Sequence, residues 1–162
     1  EAVLEVLDCA AAACAAARER EGAALTVELR ARIATLEGLR TRIAERAPER
    51  VVAERDRLAA NVQALANGIA LDPARLAQEI AVLADRMDIT EELVRFGTHL
   101  GELSRLLAGA GSVGREIGFL LQELLREVNT MGSKADDGAV AQAVIGAKTE
   151  LEKLREQIEN LE

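Results

Sequence analysis

The only histidine in the chain, His99, closes the stretch "MDITEELVRFGTHL" (Met87 to Leu100), where Asp88, Glu92 and Arg95 precede it at helical spacing. On a continuous helix at about 100° per residue, Asp85, Asp88, Glu92, Arg95 and His99 fall within an arc of about 80° beside an apolar seam. Carboxylates with one imidazole suit Mg²⁺ or Mn²⁺, and a guanidinium beside them can hold a phosphate oxygen bidentately. Those are the groups phosphodiester chemistry uses. The same residues also have a plainer reading. Asp88 with Glu91 reads as a capping box, Glu92 with Arg95 as a salt-bridge pair, and a lone His beside apolar positions as a half-buried helix side chain.

A second cluster lies in "GREIGFLLQELLREVNTMGSK". Glu123, Arg126, Glu127 and Thr130 share a helix face, with Ser133 and Lys134 just past the expected helix end. Two carboxylates four apart can share a cation, and Arg126 with Lys134 can neutralise a phosphate. An exposed face of mixed charge is the ordinary alternative. Should the two helices pack with these faces together, five carboxylates could hold two metals for an in-line displacement. The sequence leaves open whether they meet.

Other chemistries are missing. There is no P-loop, no dinucleotide-binding glycine motif, no Cys pair at zinc spacing and no serine-hydrolase elbow. A single His excludes a pair of imidazoles within this chain, so acid and base work falls to carboxylates, metal-activated water or His99. Cys9 and Cys14 match no metal or redox motif and are expected to be reduced, buried and inert. The net charge is −8, concentrated beyond residue 71, where 17 acidic residues face 10 basic ones. Such a surface disfavours generic electrostatic binding of nucleic acid, but suits sites for divalent cations. "TLEGLRTRIAERAPERVVAERDRL" is Arg-rich, yet its interleaved acids and lack of aromatics read as a solvated helix surface. No apolar run reaches the length of a membrane helix and no signal peptide is visible, so a cytoplasmic protein is expected.

The elements that must position these residues read as helices throughout. Hydrophobics make up 49% of 162 residues, but they are Ala, Leu, Val and Ile with two Phe and no Tyr or Trp, which suits helices packed on helices. From Glu1 to about Ala47 the periodic Leu25, Leu29, Ile33, Leu36 and Ile43 predict one very long helix, or two broken near Gly22. Pro48 is expected to begin the next helix and Asn67-Gly68 to end it. Asp72 as N-cap and Pro73 then open another, so the domain boundary falls near residue 71: residues 1–71 form a long-helix region and 72–162 a helical C-terminal domain. Leu93, Phe96, Leu100, Leu103 and Leu107 form one buried seam. "AGAGSVG" is the obvious loop. A helix follows from about Val113 to Thr130, with Ile117, Leu120, Leu121, Leu124 and Val128 inward; "NTMGSKADDG" links it to the last. There Val140, Val144, Ala147, Leu151, Leu154, Ile158 and Leu161 make a coiled-coil seam, for a neighbour in the same chain or for another copy. The fold class expected is all-α, an extended helical hairpin or bundle. The first residue is not Met and reads as mid-helix, so the chain is expected to be a C-terminal fragment of a larger α+β protein.

Several of these stretches together resemble the YicC/YloC family of bacterial endoribonucleases. The match is carried by "REREG" at Arg18 to Gly22, "RLAQEIAVLADRMDITEELVR" ending at Arg95, and His99. It continues through Gly114-Arg115, "FLLQEL" and "RE" between Phe119 and Glu127, Asn129-Thr130, Ser133-Lys134 and the terminal "REQIENLE". The resemblance implies a preceding N-terminal domain and metal-dependent cleavage of RNA, regulatory RNAs included, by a cytoplasmic homo-oligomer. It further implies that Asp88, Glu91, Glu92, Arg95, His99, Gln122, Glu123, Arg126, Glu127 and Asn129 belong to the functional surface. In two places the chain departs from the family pattern: Gly118 stands where an Asp is common and Leu125 where an Asn is. Both are placed in the second cluster: either they are dispensable, or activity is reduced or metal use altered, and the first cluster, which keeps its charged residues, is the better candidate.

The expectation is a metal-dependent endoribonuclease acting on single-stranded or structured RNA, with neither DNA nor membrane as partner. Asp88, Glu92, His99, Glu123 and Glu127 would hold Mn²⁺ or Mg²⁺. Catalysis is assigned to His99, Glu92, Arg95 and Arg126, and RNA contact to Arg95, Arg115, Arg126, Asn129 and Lys134. An RNA-binding adaptor without catalysis and a helical oligomerisation scaffold are the alternatives.

Overall fold

The computed structural model describes residues 2–65, 72–109 and 114–159. Five helices fill them: α1 (Ala2–Leu65), α2 (Pro73–Met87), α3 (Thr90–Ala108), α4 (Gly114–Lys134) and α5 (Gly138–Glu159). No strand occurs among the described residues, so the fold is all-α.

The helix α1 runs unbroken for 64 residues. Gly22 does not divide it, and Pro48 lies inside it rather than opening a new helix. A proline in a helix interior removes one backbone bond, here the one to the Ala44 carbonyl. Anchors on both sides hold the helix through that loss: Ile43 lies in the core, and Arg50 is 2% exposed with its guanidinium donating to the Met87 and Lys134 carbonyls. The expected stop at Asn67-Gly68 and the boundary near residue 71 lie outside the described residues. Cys9 and Cys14 are free and exposed, not buried. They share an exposed stretch with Val3, Leu4, Val6 and Leu7, well before the first buried residue of α1, Leu29.

Four helices close a ring. Helix α1 neighbours α3 and α5, and α4 neighbours the same two; α2 packs on α1. One core joins Leu29, Ile33, Leu36 and Ile43 of α1 to Phe96, Leu100 and Leu103 of α3, Leu120, Leu124 and Val128 of α4, and Val144, Leu151 and Leu154 of α5. The heptad seam of α5 is therefore filled from within the chain, by α1 and α4. Its last position, Leu161, lies outside the described residues.

Two boundaries differ from expectation, and both matter for the site. Helix α4 continues through Thr130 to Lys134, because Met131 is fully buried and Gly132 lets α5 approach closely; a Cβ there would come within 3.0 Å of the Val144 Cγ1. The stretch from Asp85 to His99 is not one helix. Asp88 is extended at φ −65° and ψ 125°, ending α2, and Ile89 precedes α3.

Candidate metal centre

Because the helix breaks at Asp88, the charged stripe divides. Asp85 and Asp88 belong to the α2 end and the elbow, while Glu92, Arg95 and His99 keep their common edge on α3. The Asp88 carboxylate works as a cap: it accepts from the Thr90 hydroxyl at 2.6 Å and from the Thr90 amide at 2.9 Å. Those two bonds, the hydroxyl one first, hold its carboxyl below the usual aspartate range.

The edge of α3 lies against α4, and their facing side chains pair in three rungs. At the elbow end Lys134 Nζ donates at 2.9 Å both to Glu92 Oε1 and to the Asp88 carbonyl. In the middle Arg95 Nη1 lies 3.9 Å from Glu127 Oε1 and also pairs with Glu91 one turn back. At the third rung His99 meets Glu123 and Glu127: one ligand atom from each lies within 4.8 Å of the others. The two expected clusters thus meet through His99, Glu123 and Glu127. Glu92 is paired with Lys134 instead of Arg95, and Lys134 is engaged inside the protein.

Burial distinguishes the members. Glu127 is 3% exposed, and among the described residues no hydrogen bond reaches its carboxylate. Burying a carboxylate that way is costly unless a cation neutralises it. His99 and Glu123 are half-buried and bring ligand atoms to the same point, so the donor set of two carboxylates and one imidazole fits a divalent cation. Glu92 Oε2, two rungs away, is buried with no hydrogen-bond partner among the described residues. Arg126 is exposed, with Nη1 3.5 Å from Glu123 Oε2; Arg115 and Asn129 are exposed on the same outer side of α4.

This chain matches the family model described as the C-terminal region of YicC-like endoribonucleases over residues 43–162. It belongs to the YicC-like endoribonuclease family. Two curated relatives match over 92 residues each: the probable endoribonuclease YicC of Clostridioides difficile (strain 630) at 51% identity, and that of Haemophilus influenzae (strain ATCC 51907 / DSM 11121 / KW20 / Rd) at 44%. Each match covers 57% of this chain and 31% or 32% of the relative, so the chain spans about a third of their length.

The two departures from the YicC pattern do not touch the cluster. Gly118 and Leu125 line a groove of about 310 Å³ between α4 and α5, together with Gln122, Lys148 and Arg155. At 100° per residue they lie on the flank of α4 away from Glu123 and Glu127. The expectation that both positions lie in the second cluster is corrected accordingly. Sequence reasoning also missed Arg50, although its signal was present: it continues the seven-residue series Leu29, Leu36, Ile43 into the core.

Proposed function

We propose that this chain carries the catalytic centre of a metal-dependent endoribonuclease, with His99, Glu123 and Glu127 as the ligands of Mn²⁺ or Mg²⁺. The supporting observation is the convergence of three donors from two helices on one point, one of them a buried carboxylate that no hydrogen bond reaches among the described residues. The ligand set is smaller than the residue spacing suggested. Asp88 caps α3 and Glu92 pairs with Lys134, so both support the site instead of coordinating in it.

A bound divalent cation would supply Lewis acidity at a phosphate oxygen and acidify a water. Arg95 and Arg126, on either side of the cluster, contact the scissile phosphate and stabilise the charge that develops on it. His99, half-buried, would hold the cation through its imidazole and orient water against the phosphate. The acidic surface repels a polyanion, so the bound cation and the exposed Arg115 and Arg126 also serve substrate affinity. The substrate is RNA, as the family names suggest; in this reading it is single-stranded or structured RNA, regulatory RNAs included, and the protein works in the cytoplasm as a homo-oligomer. Among the described residues no helix is long and apolar enough to cross a membrane.

The test is cleavage of a labelled structured RNA by the full-length protein with Mn²⁺, with Mg²⁺ and with chelator, wild type beside His99→Ala and Glu127→Gln. Metal-dependent cutting lost in both variants is expected. Equal cutting by all three would remove the cluster from the mechanism, and RNA binding without cutting in either metal would favour an adaptor.

A further inference from the structure

Only one large aromatic is left outside the bundle. The chain has two Phe and neither Tyr nor Trp; Phe96 is 1% exposed in the core, whereas Phe119 is 59% exposed on the outer face of α4. Leaving such a ring in water forgoes roughly 1.5–3 kcal/mol of burial. Its surroundings do not suit another helix. A helix that docks a partner repeats apolar residues three, four and seven positions away. Around Phe119 those positions hold Arg115, Glu116, Gln122, Glu123 and Arg126, all polar. The apolar surface is a single ring, not a seam.

A ring flanked by guanidinium and amide groups suits a ligand with a planar π-face and phosphates on either side. Arg115 stands one turn before Phe119 and Arg126 two turns after, both exposed. Among the described residues no ion pair or hydrogen bond engages the Arg115 guanidinium, and Arg126 has only the 3.5 Å pairing with Glu123. Glu123, a member of the metal cluster, lies about 6 Å further along the axis from Phe119 and about 40° round it. We propose that Phe119 is a base-stacking platform for single-stranded RNA, holding the nucleotide next to the phosphate that the His99, Glu123 and Glu127 cluster receives. In placing that phosphate the inference rests on the metal-centre reading above. Stacking is tolerant of base identity, so this contact positions the strand without imposing a strong sequence preference.

The chain's lack of tryptophan supplies the test. Phe119→Trp creates a single fluorophore at the proposed contact, and a His99→Ala background keeps the RNA intact. With a short labelled single-stranded RNA followed by anisotropy, the indole emission should be quenched as binding saturates. Phe119→Ala and Phe119→Leu should each weaken binding by roughly 5- to 150-fold, the range for losing one stacked base. RNA bound with undimmed emission and unchanged affinity in the Ala variant would overturn the proposal. So would an altered oligomeric mass in Phe119→Ala without any change in RNA affinity, which assigns the ring to a protein interface. A parallel Mn²⁺ titration of the chain with His99 intact, without RNA, separates the two readings. Mn²⁺ bound without quenching sinks the stacking platform alone; quenching without Mn²⁺ bound sinks the metal centre alone.

Discussion

The Glu127 carboxyl is buried, with Arg95 at 3.9 Å as the cation beside it among the described residues. A buried carboxyl kept as a metal ligand would cost stability in the metal-free protein. Glu127→Gln, of equal size and no charge, should raise the melting temperature of the metal-free chain by the equivalent of about 0.5–2 kcal/mol while abolishing Mn²⁺ binding. Thermal scans across a Mn²⁺ series check both halves. The wild type should gain about 2.7 kcal/mol at a hundredfold excess over its Kd and the variant nothing; a destabilised variant that still responds to Mn²⁺ would show that Glu127 is structural. At this scale the residue types were legible, and their partners were not. His99 and Arg95 were picked out by spacing, whereas the choice among five carboxylates depended on a break at Asp88 that a uniform 100° projection cannot register. The burial of Glu127 had a signal in its place beside Leu120 and Leu124 at the edge of the apolar face.

Where elements join, α1 holds the joints through arginines. Arg46 donates to Asp137 at 2.9 Å, and Asp137 caps α5 by accepting from the Ala139 and Val140 amides. The Arg46 bond, then the Val140 amide, keeps the Asp137 carboxyl below its ordinary value of 3.8. A carboxyl depressed in the folded state adds stability above its unfolded value and loses it as pH falls through the folded one. Asp137→Asn should therefore cost about 1–3 kcal/mol at neutral pH. The gap between variant and wild type should close below about pH 4; urea titrations at several pH values measure it, and a gap independent of pH would assign the effect to the cap alone. Arg50 fixes the elbow between α2 and α3 to the end of α4, so Arg50→Ala should destabilise by roughly 2–4 kcal/mol. Hydrogen exchange should then quicken first around Met87 to Thr90. Element existence was readable from periodicity, and Asp72 with Pro73 marked the α2 start correctly, its carboxylate accepting from the Ala74 amide. Pro48 misled because tertiary anchors override a local breaker.

As a whole, the molecule places the His99, Glu123 and Glu127 cluster on the α3–α4 seam. The core is shared by α1, α3, α4 and α5, so Leu124→Ala should cost about 2–5 kcal/mol and soften all four helices together. Removal of residues 2–23, which lie before the buried part of α1, should shift the folding midpoint by less than about 1 kcal/mol. A deletion that unfolded the chain would contradict that separation. The all-α class was legible because an aliphatic core with helical periods leaves little room for a sheet. Which helices would be neighbours was not, since several apolar faces are similar and close packing, as at Gly132 and Arg50, selects among them. The free part of α1 has a consequence for reach. These 22 residues of helix form an outrigger of about 33 Å, so a tilt of only about 10° in the bundle displaces its tip by about 6 Å. Any partner that held that tip would be geared to the bundle, and a motion too small to disturb the core would become a stroke of several ångströms at the far end.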